Sequence, residues 1–223
     1  MNLRFHFDFI SPYAYLAWTQ LGALVARHAS TDAACALAIE PVPILFAALL
    51  DANRTKGPAE IPSKRAYMWK DTMRSARALG VPFVPPPAHP FNPLLALRVA
   101  SLAMDHEERV ALVDAIFRAC WERGLAISDP RVVEHAANEA KLDGAALVRA
   151  AATPDAKARV KDATDAALAA GIFGVPTMVI DGEMFWGLDS LPHLERHLAD
   201  PRARIDAAVY ARFTSLEPSA KRI

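Results

Sequence analysis

Strand-like segments stand at the two ends of this sequence, with a long helix-forming block between them. Leu3, Phe5, Phe7 and Phe9 recur at every second position, so residues 3 to 9 predict a strand with one apolar face. The chain then turns at Ser11-Pro12 into an amphipathic run ending near Val25, with Ser11 as N-cap and Pro12 as first helical residue. A second strand, about Ala36 to Val42, follows before Pro41 and Pro43 break the pattern. Strand signals resume at Val175-Pro176-Thr177-Met178-Val179-Ile180 and Met184-Phe185-Trp186. The dipeptide Asp181-Gly182 between them predicts an antiparallel hairpin, and a last helix runs from about Ser190 to Leu198. A sheet assembled from both ends of a chain must leave the middle outside it.

That middle, residues 46 to 170, is Ala-rich and carries repeated helix start and stop signals. Ser63 precedes a helix that stops at Gly80, and Asn92-Pro93 starts one near Leu94. Asp105 with Glu108 forms a capping-box pattern ahead of a helix ending at Gly124, and Ser128-Asp129-Pro130 and Thr153-Pro154 open two more. The order β-α-β, helical block, β-β-α predicts an α/β, thioredoxin-like fold with a large all-helical insertion. Residues 1–45 and 171–201 form the discontinuous thioredoxin-like domain, 46–170 the insertion, and 202–223 a helical tail packed on the domain.

Lys plus Arg and Asp plus Glu both number 25, so no net field gathers nucleic acid or anionic lipid, and an anionic ligand needs a local site. No window approaches the roughly 20 apolar residues of a spanning helix, and the alternating N-terminus does not resemble a signal peptide. A soluble, cytoplasmic protein is expected. Cys35 and Cys120 lie far apart in apolar stretches, the pattern of buried reduced thiols. His193 and His197 are four apart, but without a third ligand they do not predict a metal site. Of Tyr67 and Trp69, at least one is expected in the insertion's core.

In this architecture the loop after the first strand aims a helix N-terminus at solvent, where free N–H groups favour an anion, including a thiolate. A redox thioredoxin carries Cys-x-x-Cys there; this chain reads Ser11-Pro12-Tyr13-Ala14 and cannot cycle a disulfide at that position. A serine hydroxyl can instead donate to a ligand sulfur and favour its thiolate. Lowering a free thiol from ~8.5 by about two units takes roughly 2.7 kcal/mol, the scale of one charge-assisted hydrogen bond plus a helix end. Ser11 can equally be an N-cap and nothing more. Val175-Pro176 at a strand entry could offer an open backbone edge to a small peptide, and Asp189 could cap a helix or accept a ligand ammonium.

Phe7-Asp8-Phe9-Ile10-Ser11-Pro12-Tyr13-Ala14-Tyr15-Leu16, Gly171-Ile172-Phe173-Gly174-Val175-Pro176-Thr177 and Phe185-Trp186-Gly187-Leu188-Asp189 together resemble the 2-hydroxychromene-2-carboxylate isomerases. These are relatives of the kappa-class glutathione transferases within the DsbA-like thioredoxin superfamily. Asn53-Arg54, Pro62-Ser63-Lys64 and Phe91-Asn92-Pro93-Leu94 extend the likeness over essentially the whole chain. The resemblance implies a glutathione-dependent isomerase and a homodimer. It implies that Ser11 contacts the glutathione sulfur and Val175 the cysteinyl backbone, while Trp186, Gly187, Leu188 and Asp189 hold the γ-glutamyl end. Asn53, Arg54 and Lys64 would then bind the aromatic carboxylate substrate. Some members carry a lysine just after the second strand, where this chain has Pro43-Ile44-Leu45. A kappa-type transferase conjugating an electrophile, and a non-catalytic glutathione- or partner-binding module, are the alternatives.

Overall fold

The computed structural model describes residues 2–28, 37–200, 202 and 204–217. Strand β1 (Asn2–Phe7) leads through a turn to helix α1 (Pro12–Arg27), and β2 (Ala38–Pro43) pairs parallel to β1. Helices α2 (Phe46–Ala52), α3 (Pro62–Leu79), α4 (Leu94–Ser101), α5 (His106–Phe117), α6 (Pro130–Glu139), α7 (Gly144–Ala150) and α8 (Pro154–Ala169) follow. Strands β3 (Thr177–Ile180) and β4 (Glu183–Trp186) return as a hairpin across Asp181 and Gly182, both in left-handed backbone, and α9 (Leu191–Ala199) and α10 (Ala207–Thr214) end the described chain. The sheet order is β2-β1-β3-β4, with β1 antiparallel to β3. This is a thioredoxin-like fold with its helices inserted after β2.

Several boundaries differ from the sequence pattern. β1 stops at Phe7 because Asp8 turns its carboxylate onto the following loop. Pro41 and Pro43 lie inside β2 rather than ending it, since β2 is an edge strand that tolerates residues without an N–H. Pro62, not Ser63, opens α3, with Ile61 as an N-cap that makes no side-chain bond. The helix begun by the Asp105–Glu108 capping box loosens into a π-helical turn at Arg118–Glu122 before Gly124. The tail is helical at Ala207–Thr214, but its residues are exposed; Val209, Tyr210 and Phe213 make no packing layer against the sheet, which α1, α5 and α8 already cover.

Leu3, Phe5, Phe7 and Phe9 are fully buried on one sheet face, against Tyr15, Leu16, Trp18 and Leu21 of α1. Phe117 of α5 enters the same cluster, its ring centroid 5.3 Å from Phe7 and 4.8 Å from Phe9. One apolar core therefore joins sheet and inserted helices, each buried phenyl contributing about 1.5–3 kcal/mol. On the opposite face Val42, Ile44, Leu49, Ala167, Ile172 and Val175 form a second cluster beneath α8. His6, alternating with the phenylalanines, faces this side, buried with both ring nitrogens unpartnered. The first core fixes where β1 ends, and so where α1 begins.

Candidate functional site

Ser11 caps α1 in extended backbone, its Oγ accepting the Ala14 N–H at 3.2 Å. The capping role is real, and it uses a lone pair. The hydroxyl proton itself has no acceptor among the described residues, and the first turn of α1 holds no acidic side chain to offset the helix end. Ser11 is 7% exposed, so the group is sheltered but reachable.

The turn before it is bonded on every side. Trp121 Nε1 donates to the Phe9 carbonyl at 2.8 Å and His89 Nε2 to the Ile10 carbonyl at 3.0 Å. Asp8 accepts the Ile10 N–H at one carboxylate oxygen (3.1 Å) and the Phe46 N–H, at the start of α2, at the other (2.9 Å). The Ser11 N–H closes the turn on the Asp8 carbonyl at 3.1 Å. Burial pushes the Asp8 carboxyl up to about 7, against the opposing pull of its two N–H donors. Burial likewise holds His89 below the usual imidazole value and raises the Cys120 thiol well out of the reactive range. Cys120 is free and packed; Cys35 lies outside the described residues. Sequence reasoning missed Asp8, His89 and Trp121. Only Asp8, a lone carboxylate in the run Phe7-Asp8-Phe9, left a visible mark.

The sheet register that pairs His6 with Thr177 leaves Val175-Pro176 at the end of β3 nearest the β1–α1 turn, and this peptide bond is cis. The Val175 N–H and C=O take no partner among the described residues. The Gly187 N–H donates to the Pro176 carbonyl at 2.9 Å, which brings the Trp186 to Asp189 segment alongside Val175. A Cβ on Gly174 would fall 2.5 Å from Trp186 Nε1, and one on Gly187, whose φ is +92°, would fall 2.4 Å from an Asp189 carboxylate oxygen. The backbone at Gly187 thus favours glycine, and a side chain at Gly174 would displace the Trp186 indole. Trp186 stands half-exposed against Phe173, Leu188 and Asp189 lie in a short 3₁₀ turn, and Asp189 is exposed.

Two clefts of about 330 Å³ flank α1. One, lined by Tyr13, Pro58, Ser63, Lys64, Tyr67 and Met68, opens beside the helix start and brings a lysine and two tyrosines to one wall. Tyr13 donates its hydroxyl to Asp71 at 2.9 Å, and burial first, then that carboxylate, raises its pKa far above the ordinary phenol. The other cleft lies between α1, α3 and the 188–195 segment, with Asp189 at its edge. Asn53 and Arg54 line neither. Asn53 ends α2, its amide donating back to the Leu49 carbonyl at 2.8 Å, and Arg54 is exposed in left-handed backbone. Tyr67 faces the cleft, whereas Trp69 packs on His89 and Trp121. His193 is exposed while His197 is buried against Phe185. Among the described residues no group of three potential ligands is placed to hold a metal, and no helix is long and apolar enough to cross a membrane.

Residues 2–199 match the DSBA-like thioredoxin domain model. A 2-hydroxychromene-2-carboxylate isomerase of Sphingobium xenophagum is 30% identical over 199 residues, covering 89% of this chain and 98% of the relative. Glutathione s-transferase kappa 2 of Caenorhabditis elegans is 30% identical over 219 residues, 89% of this chain and 92% of its own. The solved structure of a 2-hydroxychromene-2-carboxylate isomerase superposes with a TM-score of 0.78 at 26% identity, covering 98% of this chain and 100% of that one.

Proposed function

The chain belongs to the 2-hydroxychromene-2-carboxylate isomerase family, within the DSBA-like thioredoxin domains, and from that premise we propose that it is a glutathione-dependent isomerase. Its substrate is 2-hydroxychromene-2-carboxylate or a related conjugated aromatic acid. The observation that carries this reading is the Ser11 hydroxyl, which takes the Ala14 N–H and keeps its proton for a ligand at an uncompensated helix end. Val175 supports it with an N–H and C=O that no described residue pairs, beside that hydroxyl's turn and suited to the main chain of a cysteinyl residue.

In this proposal Ser11 donates to the glutathione sulfur and Val175 pairs with its cysteinyl backbone. Trp186, Gly187, Leu188 and Asp189 hold the γ-glutamyl end, with Asp189 taking the ammonium. When bound, glutathione would supply a thiolate whose reversible addition turns a double bond of the substrate into a rotatable single bond and whose departure returns the tripeptide unchanged. Lys64 holds the substrate carboxylate in the aromatic cleft, and Asn53 and Arg54 take its outer polar oxygens, Arg54 by its planar fork. The division into 1–45 with 171–201 and 46–170, a homodimer and a cytoplasmic setting belong to the same proposal.

Calorimetric titration with glutathione, on wild type and on Ser11→Ala and Asp189→Ala, tests the binding half; Asp189→Ala weakens affinity by about tenfold. Ser11→Ala lowers turnover by about one to three orders of magnitude, the range for losing an oxyanion-type donor. An unchanged rate at neutral pH removes Ser11 from the mechanism. The 30% identity to a kappa transferase favours a second reading, conjugation to an electrophile. Recovered free glutathione marks isomerisation, and a thioether adduct marks transfer.

A further inference from the structure

We infer that His89, acting with Asp8 and Trp121, is a positioning residue that fixes the Ile10–Ser11 peptide and thereby aims the Ser11 hydroxyl at a bound thiol. This inference rests on the reading of Ser11 given above. Two successive peptide groups lead into Ser11, and each is bonded at both ends. The Phe9–Ile10 peptide receives Trp121 Nε1 at its carbonyl (2.8 Å) and gives its N–H to the Asp8 carboxylate (3.1 Å). The Ile10–Ser11 peptide receives His89 Nε2 at its carbonyl (3.0 Å) and gives its N–H to the Asp8 carbonyl (3.1 Å). With both planes held, the backbone torsions that set the Ser11 side-chain direction have little freedom.

His89 itself shows that the bond, rather than the ring's bulk, is what the position requires. Its ring sits in an aromatic cage, 5.0 Å from Trp69, 5.8 Å from Trp121 and 6.2 Å from Phe91. A phenyl ring would fill that cage without an unpartnered nitrogen, but would leave the Ile10 carbonyl without its donor. An imidazole there leaves Nδ1 buried and unpartnered, which is unfavourable unless the donor at Nε2 compensates. Because a carbonyl accepts from Nε2, that nitrogen carries a proton, and burial with Nδ1 unpartnered among the described residues disfavours a second. Arg65 anchors the segment by donating to the His89 carbonyl at 2.7 Å. The ionisable groups around the turn are Asp8 at the end of β1, Cys120 on the π-helical turn, Arg65 on α3 and His89 itself.

The test follows the ultraviolet absorbance of the thiolate of enzyme-bound glutathione from about pH 5 to about pH 9, beside turnover and KM, in wild type and four variants. His89→Phe keeps the cage and loses the donor; His89→Gln restores an amide donor near the Nε2 position. Expected is a rise of the bound thiol's pKa by about half to one unit in His89→Phe, with turnover at neutral pH down roughly one-and-a-half- to threefold and recovered at high pH. KM for glutathione stays within about twofold, since affinity contacts are untouched. His89→Gln returns most of both, and Trp121→Phe moves the thiol in the same direction, which keeps the test intact should His89→Phe fail to fold. If wild type leaves the bound thiol near ~8.5, or Ser11→Ala does not raise it, the serine reading falls and this inference with it. If wild type lowers the thiol and His89→Phe lowers it equally, or His89→Gln is as impaired as His89→Phe, the inference alone falls.

Discussion

Around Ser11 two consecutive peptide groups are bonded at both ends by side chains and backbone from distant parts of the chain, and the supporting rings are buried. At Asn53 and Arg54 the hydrogen bonds among the described residues are all local: two backbone N–H groups and the Asn53 amide fold back on α2, and Arg54 is exposed. The first region is built to hold an atom in place, and the second to accommodate whatever approaches it. In a protein proposed to activate a thiol for a specific substrate, the chemistry belongs to the rigid region and the selectivity to the adaptable one. Substitutions in the first should therefore act through stability and turnover, and those in the second through KM.

The largest effect is expected where the rigid region draws its support. Phe117 touches Phe7, Phe9, Tyr15 and Trp18, so Phe117→Ala empties the junction between sheet and inserted helices. Denaturant unfolding should show a loss of about 3–5 kcal/mol. A loss below about 1 kcal/mol would mean that the turn does not depend on this core.

Next in size is the pH dependence of stability. Asp8 holds its proton more tightly folded, at about 7, than unfolded, at 3.8. Its stabilisation is complete below the unfolded value and is lost as pH rises through about 7, for a total of roughly 4 kcal/mol. His6 has the opposite sense, since burial first and Arg4 second lower it from 6.5 to about 4. Both states are neutral above 6.5, and stability falls from there toward about 4 as only the unfolded chain takes up the proton. The two slopes oppose each other in mildly acidic solution. Asp8→Asn should be less stable at about pH 5, because an amide cannot accept both N–H groups, yet lose the decline that Asp8 contributes up to about 7. An Asn variant whose decline matches wild type would take Asp8 out of the titration.

The cleft beside α1, lined by Tyr13 and Lys64, lies outside both regions, and there Tyr13 donates to Asp71. Tyr13→Phe frees the Asp71 carboxylate to repel an anionic substrate and compete for the lysine, so KM should rise roughly three- to tenfold at nearly constant kcat. Adding Asp71→Asn removes the freed charge and should return part of that loss. A double variant no better than Tyr13→Phe would show that the hydroxyl acts by another route.

These contrasts follow how legible each region was in the sequence. The alternation of Leu3, Phe5, Phe7 and Phe9, the Ser11-Pro12 cap and the Asp181-Gly182 hairpin are local patterns, and local patterns were enough for the order of elements along the chain. The glycine-bounded segment at Gly174 and Gly187 was visible as a motif, though the indole and carboxylate that exclude a Cβ there were not. His89 and Trp121 reach the turn from 79 and 112 residues away. One lies in a loop of prolines and the other in a helix with ordinary core spacing, so no short-range pattern marks either. Helix α7 was passed over because its cap, Asp143, stands before Gly144, a weak opening signal. The β2 prolines misled because an edge position is a property of the sheet, not of the strand.

The smallest effect tests the adaptable side by itself. Arg54 sits at φ +51°, a conformation that disfavours a side chain, and its guanidinium makes no hydrogen bond or ion pair among the described residues. Arg54→Gly removes the backbone cost but gives the unfolded chain more freedom, and these terms are comparable, so stability should change by less than about 1 kcal/mol. If Arg54 takes an outer oxygen of the substrate, the same variant raises KM for the aromatic acid about three- to tenfold while glutathione affinity and the bound thiol's titration stay as they were. Lysine at this position should recover only part of the KM, because a point charge does not reproduce a planar fork. A KM equal to wild type in Arg54→Gly would leave selectivity to the Lys64 cleft, and the exposed corner at the end of α2 would then have no part in recognition.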